Sequence, residues 1–178
     1  MALAASFAKD NMKRLILMRH AKSDWPGPAT DDHDRTLNER GRSNAASLGI
    51  WLKEKDLRPD VVLCSTATRT RETLGLLNLE GQPEILFVKE LYLADAQKIL
   101  ATLQTASGDT VLLLGHNPGI ADMAEQIVKT PPNRDGMHHY PTGATIAISF
   151  DAENWSDITW NLGQVSHIVM PRDLPKPS

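Results

Sequence analysis

The stretch Arg14-Leu15-Ile16-Leu17-Met18-Arg19-His20 is an unbroken apolar run that stops at two polar side chains. Apolar residues at every position, rather than at alternate ones, suit a strand buried on both faces of a sheet. The pattern returns at Val61-Val62-Leu63-Cys64, at Ile85 to Val88 and at Thr110 to Leu114. Helical patterns separate these runs. Thr36-Leu37-Asn38-Glu39 has capping-box spacing and predicts a helix start. Ala45, Leu48, Gly49 and Leu52 then share a face, and Arg58-Pro59-Asp60 ends the segment. Further helices are predicted from about Thr66 to Leu77, from a cap at Asp95 to Leu103, and along the stripe Ile120, Met123, Ala124, Ile127, which Pro131-Pro132 closes. Alternating strands and helices make βαβ units, hence a largely parallel sheet with helices on both faces.

After Tyr140 the rhythm changes. Ala144 to Phe150 and Ile158 to Leu162 read as two strands of an antiparallel hairpin, and Pro171 to Ser178 as an extended strap. The expected fold is a three-layer α/β/α sandwich, with a mostly parallel sheet and an antiparallel C-terminal hairpin at one edge. All 178 residues are assigned to one domain, with 1–12 as a leader and 171–178 as a tail.

Composition narrows the function. Net charge is −3, so no broad basic field awaits nucleic acid or an anionic membrane, and any anion site must be local. Cys64 is the sole cysteine and lies in an apolar run, so it is read as core, without a disulfide or a cysteine-based zinc site. No window reaches the ~20 apolar residues that span a bilayer. The first ten residues lack the basic region of a signal peptide, and Met12 is an alternative start to Met1. A cytoplasmic protein is expected.

Ligands of open parallel sheets bind at the carboxyl ends of the strands. The residues following the predicted strands are Arg19-His20-Ala21-Lys22-Ser23, Ser65 to Arg69, Lys89-Glu90, and Gly115-His116-Asn117-Pro118-Gly119. Two histidines, two arginines, hydroxyls and a carboxylate thus meet on one edge. Forked guanidiniums and helix N-termini favour phosphoryl oxygens. Lys22, Arg40, Arg42, His33 and His167 are read as ordinary surface residues. The tryptophans, Trp25, Trp51, Trp155 and Trp160, are read as core. His138 and His139 are adjacent, share no face and have no carboxylate cluster beside them, so no metal or other cofactor is assigned. The loop 131–141 is a possible lid or substrate contact.

These residues resemble the histidine phosphatase superfamily, the phosphoglycerate mutase-like proteins. That family's R-H-G-x-S-x-W-N motif stands here as Arg19 to Pro26, its L-T-x-x-G segment as Leu37 to Gly41, its S-x-x-x-R-x-x-x-T segment as Ser65 to Thr73, and its late G-H element as Gly115-His116. The R-H-A-K-S-D-W opening, the Gly-His-Asn-Pro-Gly element and the Tyr-Pro-Thr-Gly stretch are most similar to the SixA-like phosphohistidine phosphatases. Ala21 replaces the family Gly, which is tolerable without a positive φ. Pro26 replaces an Asn and removes a phosphate-side donor.

The chemistry follows from the residue types. A neutral imidazole is a competent nucleophile near pH 7, so His20 attacks phosphorus and forms a phosphohistidine intermediate. Arg19, Arg69 and His116, with His116 protonated, neutralise the transferring oxygens. By resemblance these four are the catalytic set. Ser23 and Ser65 are phosphate-binding candidates, Ser65 equally a helix cap. The resemblance puts an acid near Glu90, with Asp24 as the alternative. The resemblance implies a metal-independent phosphatase acting on phosphohistidine of a protein, a monomer with no nucleic-acid or membrane partner. A phosphomonoesterase for a small metabolite and a non-catalytic phosphate-binding module are the competing readings.

Overall fold

The computed structural model describes residues 12–25 and 27–178. The leader before Met12 and the Asn-to-Pro departure at Pro26 lie outside them. Six strands form one sheet in the order β3-β2-β4-β1-β5-β6. They are β1 (Met12–Arg19), β2 (Val61–Ser65), β3 (Glu84–Val88), β4 (Thr110–Gly115), β5 (Thr145–Asp151) and β6 (Gln164–Val169). The helices are α1 (Glu39–Glu54), α2 (Thr68–Leu77), α3 (Ala96–Leu103) and α4 (Gly119–Gln126). Strands β1 to β4 are mutually parallel where they pair, and β5 runs antiparallel to both β1 and β6.

The apolar β3 run departs from the expectation of a strand covered on both faces: β3 is the last strand of the sheet, and Ile85, Leu86 and Phe87 are exposed. The runs of β1, β2 and β4 have the predicted explanation. Successive side chains point to opposite faces, and each face meets helices. Leu15, Leu17, Val61, Leu63, Val111 and Leu113 pack with the α3 and α4 residues Ile99, Leu103, Ile120 and Met123. Ile16, Met18, Val62, Cys64, Leu112 and Leu114 pack with Leu48, Leu52, Leu74 and Leu77 of α1 and α2. The closing tail turns over α1, where the Ser47 hydroxyl donates to the Pro175 carbonyl at 2.8 Å. No helix among the described residues is long and apolar enough to cross a membrane.

Two local expectations need correction. The second hairpin strand is Gln164–Val169, not Ile158 to Leu162. The earlier segment docks its backbone on the helices instead: the Gln104 side chain donates to Ile158 O, and Leu162 N–H donates to Ile127 O. Asn161, at φ 60°, then turns the chain into β6. The apolar alternation of 158–162 reflects burial of Ile158 against the core, not strand pairing. Helix α1 likewise starts at Glu39, capped by Asn38 through Gly41 N–H, rather than from Thr36. Thr36 O accepts Asp24 N–H, and Leu37 pairs with Ser23 and donates its N–H to Glu72. That pairing keeps the segment extended beside the loop after β1.

Candidate active site

Parallel register brings the strand ends level. Arg19 pairs with Gly115, Cys64 with Leu114, and His20 N–H donates to Gly115 O at 3.1 Å. His20 and His116 therefore leave the sheet side by side, with ring centroids 5.3 Å apart. Arg69, the second residue of α2, comes in from the neighbouring strand end. An open cleft of about 350 Å³ is lined by Arg19, His20, Ser23, Arg69 and His116, and also by Lys22, Trp25, Asp32, Arg35, Leu93, Asn117 and Thr142. Four cationic side chains face one carboxylate there, so the cleft is locally positive in an acidic chain.

His20 is 6% exposed, and its Nδ1 lies 2.7 Å from Ala21 O. A carbonyl only accepts, so Nδ1 carries the proton and Nε2 keeps the lone pair. Burial, with Arg69, Arg19 and Arg35 nearby, pushes the His20 pKa down to about 3. His116 is likewise pushed down to about 3 by burial, with His20 and Arg69 adding. Burial above all therefore leaves His116 neutral in the free protein, while the protonated form expected from the sequence is the one a nearby phosphate would favour. Its Nε2 lies 2.7 Å from the Ser65 hydroxyl. Ser65 is fully buried behind that ring and does not line the cleft, so its place is to orient His116.

These depressed values tie stability to pH. Unfolding restores ordinary histidines, so the unfolded chain binds more protons between pH 6.5 and about 3. Stability should be fully present above that window and fall with decreasing pH, by up to about 1.4 kcal/mol per pH unit for each ring. Urea unfolding at about pH 7 and about pH 4 measures it, and a midpoint that does not move would contradict neutral buried rings.

The arginines are held by acceptors on their outer side. Arg19 Nη1 donates to Tyr140 O at 3.0 Å, and Asn117 Nδ2 donates to the same carbonyl. Tyr140 is itself fixed by its hydroxyl, which donates to Leu17 O at 2.6 Å. The loop before β5 is thus a wall that positions Arg19. Arg69 is 2% exposed and donates to Asp32 O at 2.6 Å and Asp32 Oδ2 at 3.1 Å. Burial lowers the Arg19 pKa from its ordinary value, and the nearby Arg69 charge lowers it further. Arg19 Nε, Arg69 Nε and His116 Nδ1 are buried without a protein partner. Such groups are rare in folded proteins and cluster where a ligand belongs.

Asp32 was not anticipated. It sits on a short 3-10 turn, Asp32–Asp34, and takes hydrogen bonds from Tyr92 Oη at 2.5 Å, Arg35 and Arg69. The Tyr92 bond chiefly, then Arg35 and Arg69, holds its carboxyl well below the usual carboxylate range against the opposing effect of burial. Asp32 is therefore a fixed anion that aligns Arg69. The two predicted acids lie elsewhere. Glu90 is exposed on the turn after β3 and does not line the cleft; Leu93, three residues on, lines it, and Tyr92 packs edge-on to His116 at 5.5 Å. Asp24 is exposed and does not line the cleft either, its carbonyl held by Arg35 Nε at 2.9 Å. Ser23 does line it and accepts from Arg35 Nη2 at 2.9 Å. Lys22, read as an ordinary surface residue, also lines it, and Trp25, read as core, is 88% exposed at its mouth. The acidic run Asp31-Asp32-His33-Asp34-Arg35 was visible, but only folding singles out Asp32.

Two small residues explain motif positions. Ala21 has no positive φ, so its side chain is accommodated. A Cβ on Gly41 would lie 1.9 Å from Lys22 O, so the start of α1 can approach the loop after β1 only with glycine there. Among the described residues no group of three or more His, Cys, Asp or Glu side chains is placed to hold a metal ion.

The fold and cleft together define an α/β protein with a cleft lined by two histidines and two arginines at the carboxyl edge of its parallel strands. The profile of the histidine phosphatase superfamily (branch 1) matches residues 15–92. An uncharacterised Mycobacterium leprae protein is 32% identical over 164 residues, which are 87% of this chain and 100% of that one. Among solved structures, a candidate phosphohistidine phosphatase SixA from Nakamurella multipartitia matches with TM-score 0.74 at 32% identity, covering 89% of this chain and 98% of that one. Its counterpart from Agrobacterium tumefaciens matches with TM-score 0.72 at 27% identity, covering 89% and 98%. The chain belongs to the histidine phosphatase superfamily, in its SixA-like branch.

Proposed function

We propose that this protein is a phosphatase that transfers a phosphoryl group to His20 Nε2 and thence to water, with phosphohistidine on a protein as its substrate. The observation that carries the choice of substrate is the state of the carboxylates. Among the described residues, the one carboxylate lining the cleft, Asp32, is locked as an anion, so those residues offer no carboxylic acid to protonate a leaving group. An alkoxide leaving group needs such a proton donor. Phosphohistidine does not: its second ring nitrogen takes a proton from solvent near neutral pH, so the ring departs as neutral imidazole.

In the first step the His20 Nε2 lone pair forms a bond to phosphorus as the substrate's P–N bond breaks, and that electron pair stays on the departing nitrogen. His20 then carries phosphate on Nε2 and its original proton on Nδ1, a cation that Ala21 O stabilises. In the second step water attacks phosphorus, both water protons leave with the phosphate, and His20 returns to its neutral state. Arg19 and Arg69 neutralise the equatorial oxygens, and His116 gains its proton when the dianion enters. Metal is not required by this scheme.

Turnover of a phosphohistidine-bearing protein against a panel of alkyl and sugar phosphates tests the reading. Preference for the phosphoprotein in kcat/KM by about 100-fold or more is expected. Preferential turnover of the panel would assign a metabolite phosphomonoesterase, and binding without turnover of either would assign a phosphate-binding module.

A further inference from the structure

Two apolar side chains at the mouth of the cationic cleft are not used by the mechanism. Trp25 is 88% exposed and Leu93 is 53% exposed, and both line the cleft. Neither is a loose loop-tip residue. The backbone leading into Trp25 is pinned: Asp24 N–H donates to Thr36 O, Ser23 pairs with Leu37, and Arg35 holds Asp24 O. Arg35 lies 5.8 Å from the Trp25 ring centroid, at the far limit of a cation–π contact. Its guanidinium nitrogens are already committed to Asp24 O, Asp32 Oδ1 and Ser23 Oγ. The backbone that presents the ring is thus fixed, and the ring itself is left unpacked. Leu93 is held at φ 51°, a conformation that a branched apolar residue rarely adopts. Strain retained at a site, with an apolar side chain presented to water, marks a ligand contact.

We propose that Trp25 and Leu93 form an apolar rim that grips the group carrying the phosphate, so that the cleft selects phosphoryl groups borne on a planar ring. The assignment rests on the phosphatase reading above for the location of phosphate, and it identifies the imidazole of phosphohistidine as the ring gripped. The arginines take the charged end, which is common to all phosphates, and the rim reads what the charge cannot. A flat ring stacked on indole gains area and favourable quadrupole geometry that an alkyl chain of similar size does not.

Equilibrium binding separates this proposal from turnover. Phenylphosphonate and methylphosphonate place the same anion in the cleft, with and without a ring. The wild-type protein should bind phenylphosphonate about ten-fold more tightly by calorimetry, with Trp25→Phe retaining most of the preference. Trp25→Ala should bring the ratio to about two or below, and Leu93→Gly, which also relieves the backbone, should reduce it partly. In turnover, Trp25→Ala should raise KM for phosphohistidine while kcat changes little, with a much smaller KM change for ringless phosphoramidate. A wild-type ratio near one, or a preference that survives both Trp25→Ala and Leu93→Gly, would overturn the rim. A ring preference lost in Trp25→Ala, in a protein that turns over no phosphate, would uphold the rim and sink the phosphatase reading.

Discussion

His20→Ala should lower kcat by about 10⁴-fold or more and abolish the covalent phosphoenzyme, because the variant loses the atom that receives the phosphoryl group. The expected phosphoenzyme is distinctive: a brief exposure to labelled phosphoramidate should leave an acid-labile, base-stable label on the denatured wild-type chain and none on the variant. The fold should survive. In the free protein the ring is neutral, and its one hydrogen bond is to the adjacent Ala21 carbonyl. Near-native circular dichroism together with lost label is therefore the predicted pair of results. A variant that keeps more than about 1% of turnover would move the nucleophile elsewhere, with His116, 5.3 Å away between ring centroids, the first place to look.

Arg69→Ala is the second large effect, and it should separate catalysis from stability. Loss of one fixed fork on the transferring oxygens should lower kcat/KM by about 10³-fold. Arg69→Lys should recover little of that, because an ammonium cannot reproduce the planar pair of donors that Asp32 aligns. Stability of the free protein should change modestly, since the substitution removes the Asp32 ion pair but also the repulsion that Arg69 exerts on Arg19. The decisive readout is thermal: inorganic phosphate should raise the wild-type Tm by mass action and leave that of Arg69→Ala nearly unmoved. Equal phosphate-induced rises in the two proteins would show that Arg69 does not touch the anion.

Both predictions concern residues that were readable without coordinates. Arg19, His20, Arg69 and His116 each sit just beyond a strand or at a helix start, and the strand runs were apolar at every position. Burial of β2, β4 and the middle of β1 on both faces bears that pattern out, whereas the equally apolar β3 lies exposed at the sheet edge. A parallel sheet puts every strand's carboxyl end on one edge. The spacing Leu37 to Gly41 was equally visible, although its reason, the contact of Gly41 with Lys22 O, was not. The first hairpin strand stands where the sequence puts it, and only the second lies one segment later, because burial on helices and burial on a strand partner leave the same alternation in sequence.

The sequence by itself determined the α/β class, the order of the elements and the four charged or imidazole groups that the parallel edge must gather. Which carboxylate joins them depends on packing between elements. Glu90 and Asp24 were near in the chain, yet Glu90 rests on an exposed turn and Asp24 lies outside the cleft. Asp32 enters because Tyr92, Arg35 and Arg69, far apart in sequence, converge on its two oxygens. The same convergence fixes its charge, and burial, with the neighbouring cations adding, fixes the neutrality of both histidines. Protonation depends on distances between residues from different elements, and those distances are set when the strands and helices pack.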